Sequence, residues 1–208
     1  MTTFKGVNLR LSYPYVTDVD GFEACYAQDG TPYSQITYGA GHGYGWDSTT
    51  GMNYRNRSIA VDTRLAGMHF TSTNGRYFRL DLPNGAGTYR VSLACCDAFP
   101  FASGTGWIVA DGGVSTITTL NNSTSSGSYT DISNTSRLNS GFSLATEQYI
   151  QHTFTSSFLT VTRDTTVQSG NGMLSAVWVN EVTAAADDYN PFTNAKYKSR
   201  TFNNKRFG

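Results

Sequence analysis

The chain has 208 residues, enough for one sizeable core, and its 15 Lys and Arg balance 15 Asp and Glu to a formal net charge of zero. Aromatics are plentiful at 13%, charged residues scarce at 14%, and runs of strong helix formers are missing, which favours an all-β chain with many turns. No apolar stretch approaches the roughly 20 residues that span a bilayer, and the opening "MTTFKGVNLRLSYPY" has neither the apolar h-region nor the small-residue cleavage site of a signal peptide.

Residues 1–33 show weak periodicity, with Pro14, Pro32 and the turn-like runs "DVDGFE" and "QDGTPY". They predict an extended N-terminal arm with at most one short strand. Asp18, Asp20 and Glu23 lack EF-hand spacing and read as a turn with Asx bonds. The next stretch, "YGAGHGYGWDS" (38–48), has glycine at every second position. It is not a P-loop, because Trp46 and Asp47 stand where the Lys-Ser/Thr pair must be. It is not a dinucleotide fingerprint, because the third glycine and the following helix are absent. Alternate glycines instead leave one face of an extended segment bare, so another backbone or a large ring can approach. Tyr44 and Trp46 lie two apart on one side. Two readings stay open: both rings pack into the core, or one is exposed and stacks on a sugar whose hydroxyls bond to Asp47, Arg55 or Arg57.

Strand signals then recur roughly every 8–12 residues, the pattern of a β-sandwich. "RYFRLDL" (76–82), a turn at "PNGAG" and "TYRVSLACC" (88–96) read as a hairpin, with Tyr89, Val91, Leu93 and Cys95 on one face. Cys95 and Cys96 point to opposite faces, predicting one core thiol and one near the surface; with Cys25 they make no disulfide framework. "GWIVADGG" (106–113) is a strand and turn, followed by the strand "VSTITTL". "NNSTSSGSYTDISNTS" (121–136) is polar and predicts a loop without core content. "YIQHTFT" and "FLTVTR" are further strands, and "MLSAVWVNEV" (173–182), apolar on both faces, should be central. Glu147 and Glu181 read as solvent-facing charges. There is no G-x-S-x-G elbow, and the three histidines are far apart in sequence, so neither an enzyme nor a metal or other cofactor is predicted.

The ordered phrases "GYGWDS", "YFRLDLPNGAGTYRVSLACCD", "WIVADG", "HTFTSSFLTVTR" and "LSAVWVNEV" resemble the galactose-binding-like or malectin-like β-sandwich module. The resemblance covers residues 34–183 and departs at Ala86-Gly87, which lengthens the turn. It implies an antiparallel jelly-roll sandwich, mostly non-catalytic, that in some members binds glycans. Under that reading the sugar-facing candidates are Tyr44, Trp46, Arg57 and Trp107.

Residues 184–208 predict a linker and a C-terminal arm. Residues 1–188 carry a net charge of −5 and residues 189–208 carry +5, with no carboxylate among the last twenty. Tyr189, Phe192, Tyr197, Phe202 and Phe207 are interleaved with Lys196, Lys198, Arg200, Lys205 and Arg206. Aromatic anchors on a basic segment suit docking into grooves of an acidic protein partner; a nucleic acid is the less favoured partner. One sandwich with an arm at each end resembles, in architecture alone, the decoration, head–tail and tail-adaptor subunits of tailed-phage virions. The leading expectation is a non-catalytic virion subunit that assembles with itself and other virion proteins. The alternative is a free-standing glycan-binding module, secreted or extracellular.

Overall fold

The structure, a computed structural model, describes residues 3–9, 22–25, 37–38, 42–56, 62–96, 103–124 and 127–183. Among them the strands are β1 (Phe4–Leu9), β2 (Phe22–Cys25), β3 (Tyr44–Trp46), β4 (Met52–Asn56), β5 (Gly67–Thr71), β6 (Tyr77–Asp81), β7 (Gly87–Cys96), β8 (Ser103–Gly104) and β9 (Trp107–Asp111). They continue with β10 (Ser115–Leu120), β11 (Ser123–Thr124), β12 (Ser128–Asp131), β13 (Ser136–Leu138), β14 (Ile150–Phe154), β15 (Phe158–Arg163), β16 (Gly172–Leu174) and β17 (Ala176–Glu181). The one α-helix among the described residues is a single turn, α1 (Thr63–Ala66), capped by the Asp62 side chain on Arg64 N.

A seven-stranded sheet runs β13-β12-β7-β17-β1-β2, with β14 also paired to β7, and it faces a five-stranded sheet ordered β10-β9-β15-β6-β3. A three-stranded sheet, β16-β5-β4, and a two-stranded ribbon, β11-β8, complete the set. Every strand pair is antiparallel except β1 with β2. The protein is an all-β sandwich, as expected.

Period two builds the core. Tyr89, Val91, Leu93 and Cys95 of β7, with Val177 and Val179 of β17, meet Phe78 and Leu80 of β6, Val109 of β9 and Leu159 and Val161 of β15. The other face of the seven-stranded sheet is covered too. Ala94, Cys96, Tyr129 and Trp178 pack there with Phe22 and with Leu65 of α1, and Phe142 and Leu144 close over them. Each large side chain so buried contributes about 1.5–3 kcal/mol.

Several expectations are corrected. The segment read as an N-terminal arm supplies β1, which sits inside the seven-stranded sheet between β17 and β2, with Val7 and Leu9 fully buried. The stretch read as a polar loop contains β12, paired to β7 and β13 and buried at all four residues, and Ile132 lies in the core. Two of its polar side chains are matched, Asp131 by Arg137 and Ser133 and the Tyr129 hydroxyl by Glu147, while Thr130 Oγ1 makes no hydrogen bond. Cys95 and Cys96 do point to opposite faces, but both are buried, because both faces of β7 are covered. Burial, with the neighbouring Cys96 and Asp131, pushes the Cys95 thiol far up, which makes it inert as a thiolate. Strands β6 and β7 are not a hairpin: β6 pairs in the five-stranded sheet and β7 in the seven-stranded one. The turn between them is a corner, held by Tyr89 Oη, which accepts from Asn84 N at 3.2 Å and donates to Gly85 O at 3.1 Å. The run 173–182 is central only from Ala176; before Ser175 it belongs to the three-stranded sheet.

Arg163, at the end of β15, is 1% exposed. Its guanidinium donates to the carbonyls of Gly106, Asp164, Gln168 and Gly170 at 2.6–2.8 Å. Gly106 and Gly172 leave it room: a Cβ at either would lie within 2.6 Å of its atoms. The C-terminal arm and the Asp18–Glu23 turn lie outside the described residues, apart from Phe22 and Glu23.

Candidate functional site

The sequence-predicted sugar platforms turn inward. Trp46 and Trp107 are fully buried and Tyr44 nearly so. Trp46 Nε1 donates to His69 Nδ1 at 2.9 Å, and Trp107 Nε1 to the Met173 carbonyl at 2.8 Å. No face of these three rings is open to a sugar, which corrects their assignment and favours the core-packing reading. Arg57 lies outside the described residues. Asp47 serves the fold, accepting from Arg76 at 2.7 Å and from Tyr77 N at 3.0 Å. Arg55 lies over the Phe70 ring, 4.9 Å from its centroid.

The glycine stretch has a definite use. Thr37 bridges Trp46 in parallel, and Tyr38 N donates to Trp46 O at 2.8 Å. A Cβ on Gly45 would lie 2.6 Å from Tyr38 N and 2.9 Å from Thr37 C. Gly45 is bare so that a second backbone can cross it, and its φ of +143° adds a reason for glycine.

That crossing places Tyr38 on the outer face of the five-stranded sheet. Arg79 of β6 lies between two rings, its Cζ 4.0 Å from the Tyr38 centroid and 3.8 Å from the Phe158 centroid. Its Nε donates to Asp81 Oδ1 at 2.8 Å, and Tyr38 Oη donates to Asp81 Oδ2 at 2.9 Å. Burial, then the Asp81 carboxylate, raises the Tyr38 phenol.

Register builds a groove beside this stack. Tyr77, Arg79 and Asp81 alternate outward on β6, opposite Thr162, Thr160 and Phe158 of β15. The turn Gly112–Gly113, which follows β9, forms one end; both glycines have positive φ, and a Cβ on Gly112 would meet Ser156 Oγ at 2.2 Å. The groove encloses about 330 Å³ and is lined by Tyr77, Arg79, Gly112, Gly113, Phe158, Thr160 and Thr162. Tyr77 stands 37% exposed at its wall. No lining residue is a carboxylate, so the groove offers rings and hydrogen-bond donors. Sequence reasoning passed over these residues because their alternation marks them as outward-facing. The available signal was two aromatics and an arginine at outward positions of adjacent strands.

Two acids lie elsewhere. Glu147, expected to face solvent, is buried against β12; its Oε1 accepts from Tyr129 Oη at 2.5 Å, and burial pushes its carboxyl up. Glu181 accepts from Asn84 Nδ2 at 2.6 Å at the β6–β7 corner.

Asp111 ties the β14–β15 turn to β9. Its carboxylate accepts from Thr155 N, Thr155 Oγ1 and Ser156 N at 2.8–3.0 Å, with His152 Nε2 3.7 Å away. Burial pushes its carboxyl up, but these hydrogen bonds outweigh it and hold the group at about 2. The folded value lies below the unfolded one of about 3.9, so the contribution to stability is complete above that pH and is lost as pH falls towards 2. Asp111→Ala is expected to cost about 2 kcal/mol at pH 7 and to flatten the decline between pH 4 and 2. Thermal melting across that range checks it; an unchanged acid limb would show that another carboxylate controls it.

The fold and groove define an all-β sandwich protein with one outer sheet face shaped as a shallow trough. No family model matches the chain, and no curated protein matches it. Among solved structures, it is similar to the crystal structure of protein YxiM from Bacillus subtilis, with a TM-score of 0.52 and 16% identity over 87% of this chain. The match spans 40% of the YxiM chain and speaks for the fold. Among the described residues no helix is long and apolar enough to cross a membrane.

Proposed function

We propose that the chain is a non-catalytic structural and interaction subunit of a virion, of the decoration, head–tail or tail-adaptor kind, built on a galactose-binding-like sandwich. One observation carries this reading. The central strand β17 ends at Glu181 with the core already closed around it, yet the chain continues into a block of five aromatics and five positive charges. Such a block is too polar to form its own core and suits docking onto copies of the chain and other virion proteins. Two or three buried rings would each contribute about 1.5–3 kcal/mol before ordering costs, and repetition around a closed assembly would make weak contacts firm. Truncation after Thr183 is expected to leave the melting temperature within about 4 °C of the full chain. It should also abolish oligomers in sedimentation. A truncated chain that fails to fold would place the tail in the core. One that folds and still assembles would move the binding surface to the sandwich.

A second reading, a glycan-binding module, is favoured by the groove. A ring wall, a fixed guanidinium and threonine hydroxyls on one sheet face are the elements of a sugar site.

A further inference from the structure

We propose that the groove on the outer face of the five-stranded sheet binds an acidic glycan through a uronate carboxylate, and that Arg79 determines this specificity. The inference rests on the glycan reading and narrows it to a ligand class.

The first support is the lack of a competing anion beside a guanidinium, a group that only donates. The lining holds no carboxylate, and Asp81, which pairs with Arg79, has both oxygens taken, Oδ1 by Arg79 Nε and Oδ2 by Tyr38 Oη. A ligand rich in acceptors fits such a surface better than one that must donate. The second is charge. Lys5 Nζ donates to Gly43 O at 3.2 Å, and a Cβ on Gly43 would lie 2.8 Å from Lys5 Nζ and 3.5 Å from Asp81 Oδ2. Lys5 thus lies by Gly43 and Asp81, and Arg79 is the one charged residue of the groove lining, complementary to a carboxylate. The third is preorganisation. Arg79 is clamped between two rings with its Nε fixed, so its planar donor fork is set before a ligand arrives.

The floor is also suited to an acceptor. Thr160 is 3% exposed, lines the groove, and its Oγ1 makes no hydrogen bond. A Cβ on Gly113 would sit 3.7 Å from that oxygen, so glycine there adds no side chain against this buried, unpartnered hydroxyl. At about 330 Å³ the groove lies at the low end of small-ligand sites. A sugar is favoured over an acidic peptide because the groove lies on a sheet face. Its strands β6, β15 and β9 pair with one another, so no free strand edge there can take up an extended peptide.

The experiment titrates the full-length chain with oligogalacturonate and, separately, with the matched neutral oligogalactan, by calorimetry and by amide shifts in NMR. The expected result is binding of the acidic oligomer at least tenfold tighter than the neutral one, weakening as salt rises, with shifts centred on β6, β15 and the Gly112–Gly113 turn. Arg79→Lys, which keeps the charge and loses the planar fork, should lose most of that preference, and Tyr77→Ala should weaken both ligands alike. Equal binding of the two oligomers in the groove would overturn the acidic specificity and leave the glycan reading standing. No binding of either would overturn both. Acidic preference unchanged in a folded Arg79→Lys, or shifts away from β6 and β15, would overturn the assignment of the site. The wild-type comparison decides the matter even if a variant fails to fold.

Discussion

Arg163→Ala is expected to cost about 4 kcal/mol of folding stability. The guanidinium is buried, its partners are four backbone carbonyls, and burial pushes its pKa down while Asp164 acts the other way. Four carbonyl dipoles thus do what a carboxylate does for most buried cations. Removing the side chain strands those carbonyls, leaves a void between Gly106 and Gly172, and frees the 164–171 loop from β9. Lysine at this position keeps the charge but cannot span four acceptors, so Arg163→Lys should recover less than half of the loss. Urea unfolding followed by tryptophan fluorescence measures both, with the exposed Arg90→Ala as a control expected within about 1 kcal/mol of wild type. A loss below about 1 kcal/mol for Arg163→Ala would mean that the loop is anchored by other contacts.

Trp46→Ala should be nearly as damaging, at about 4 kcal/mol. The ring packs edge-on against Phe78 at 5.4 Å and lies 6.0 Å from the Trp107 ring, within the core of the sandwich. Its strand, β3, is only three residues long, so the side chain, more than strand length, fixes the edge of the five-stranded sheet. The crossing of Tyr38 over Gly45 depends on that edge, and through it the stack on Arg79. Trp46→Phe retains most of the packing and loses the bond to His69, and is expected to cost about 1–2 kcal/mol. Thermal melting of the three proteins checks the order. An alanine variant that melts within a few degrees of wild type would show that β3 is held by its backbone alone.

The legible parts of this chain are those where alternation is clean. In β7 and β15 the inward residues Tyr89, Val91, Leu93 and Cys95, and Leu159 and Val161, recur at every second position, and the strands lie where that pattern puts them. The place of β1 inside the larger sheet was not legible, because its last four residues are all buried with Gly6 and Asn8 among them, and no continuous apolar run marks it as a central strand. Strand β12 was missed for another reason. "SYTD" is polar, and polar residues can be buried only where partners such as Arg137 and Glu147 meet them, which is visible only after folding. Sheet membership of β6 and β7 was not legible either, because a corner and a hairpin use the same turn residues. For the site, aromatic size pointed to Trp46 and Trp107, and size favoured the core. The groove was written in outward positions such as Tyr77 and Arg79, but Tyr38, Phe158 and the Gly112–Gly113 turn converge on them only in three dimensions.

The pairing of β1 with β17 has a further consequence, for the order of synthesis. Phe4 lies opposite Asn180, and Thr3 O accepts from Glu181 N at 2.9 Å. The larger sheet therefore joins two segments separated by nearly the whole sandwich in sequence. During translation β1 must wait, with Val7 and Leu9 uncovered, until residue 181 has left the ribosome. At several residues per second that exposure lasts tens of seconds. The sheet of a nascent chain with this topology cannot close until β17 is made, because β17 joins β1 to β7. Its unpaired β7 edge and the waiting β1 are the segments a chaperone would need to shield.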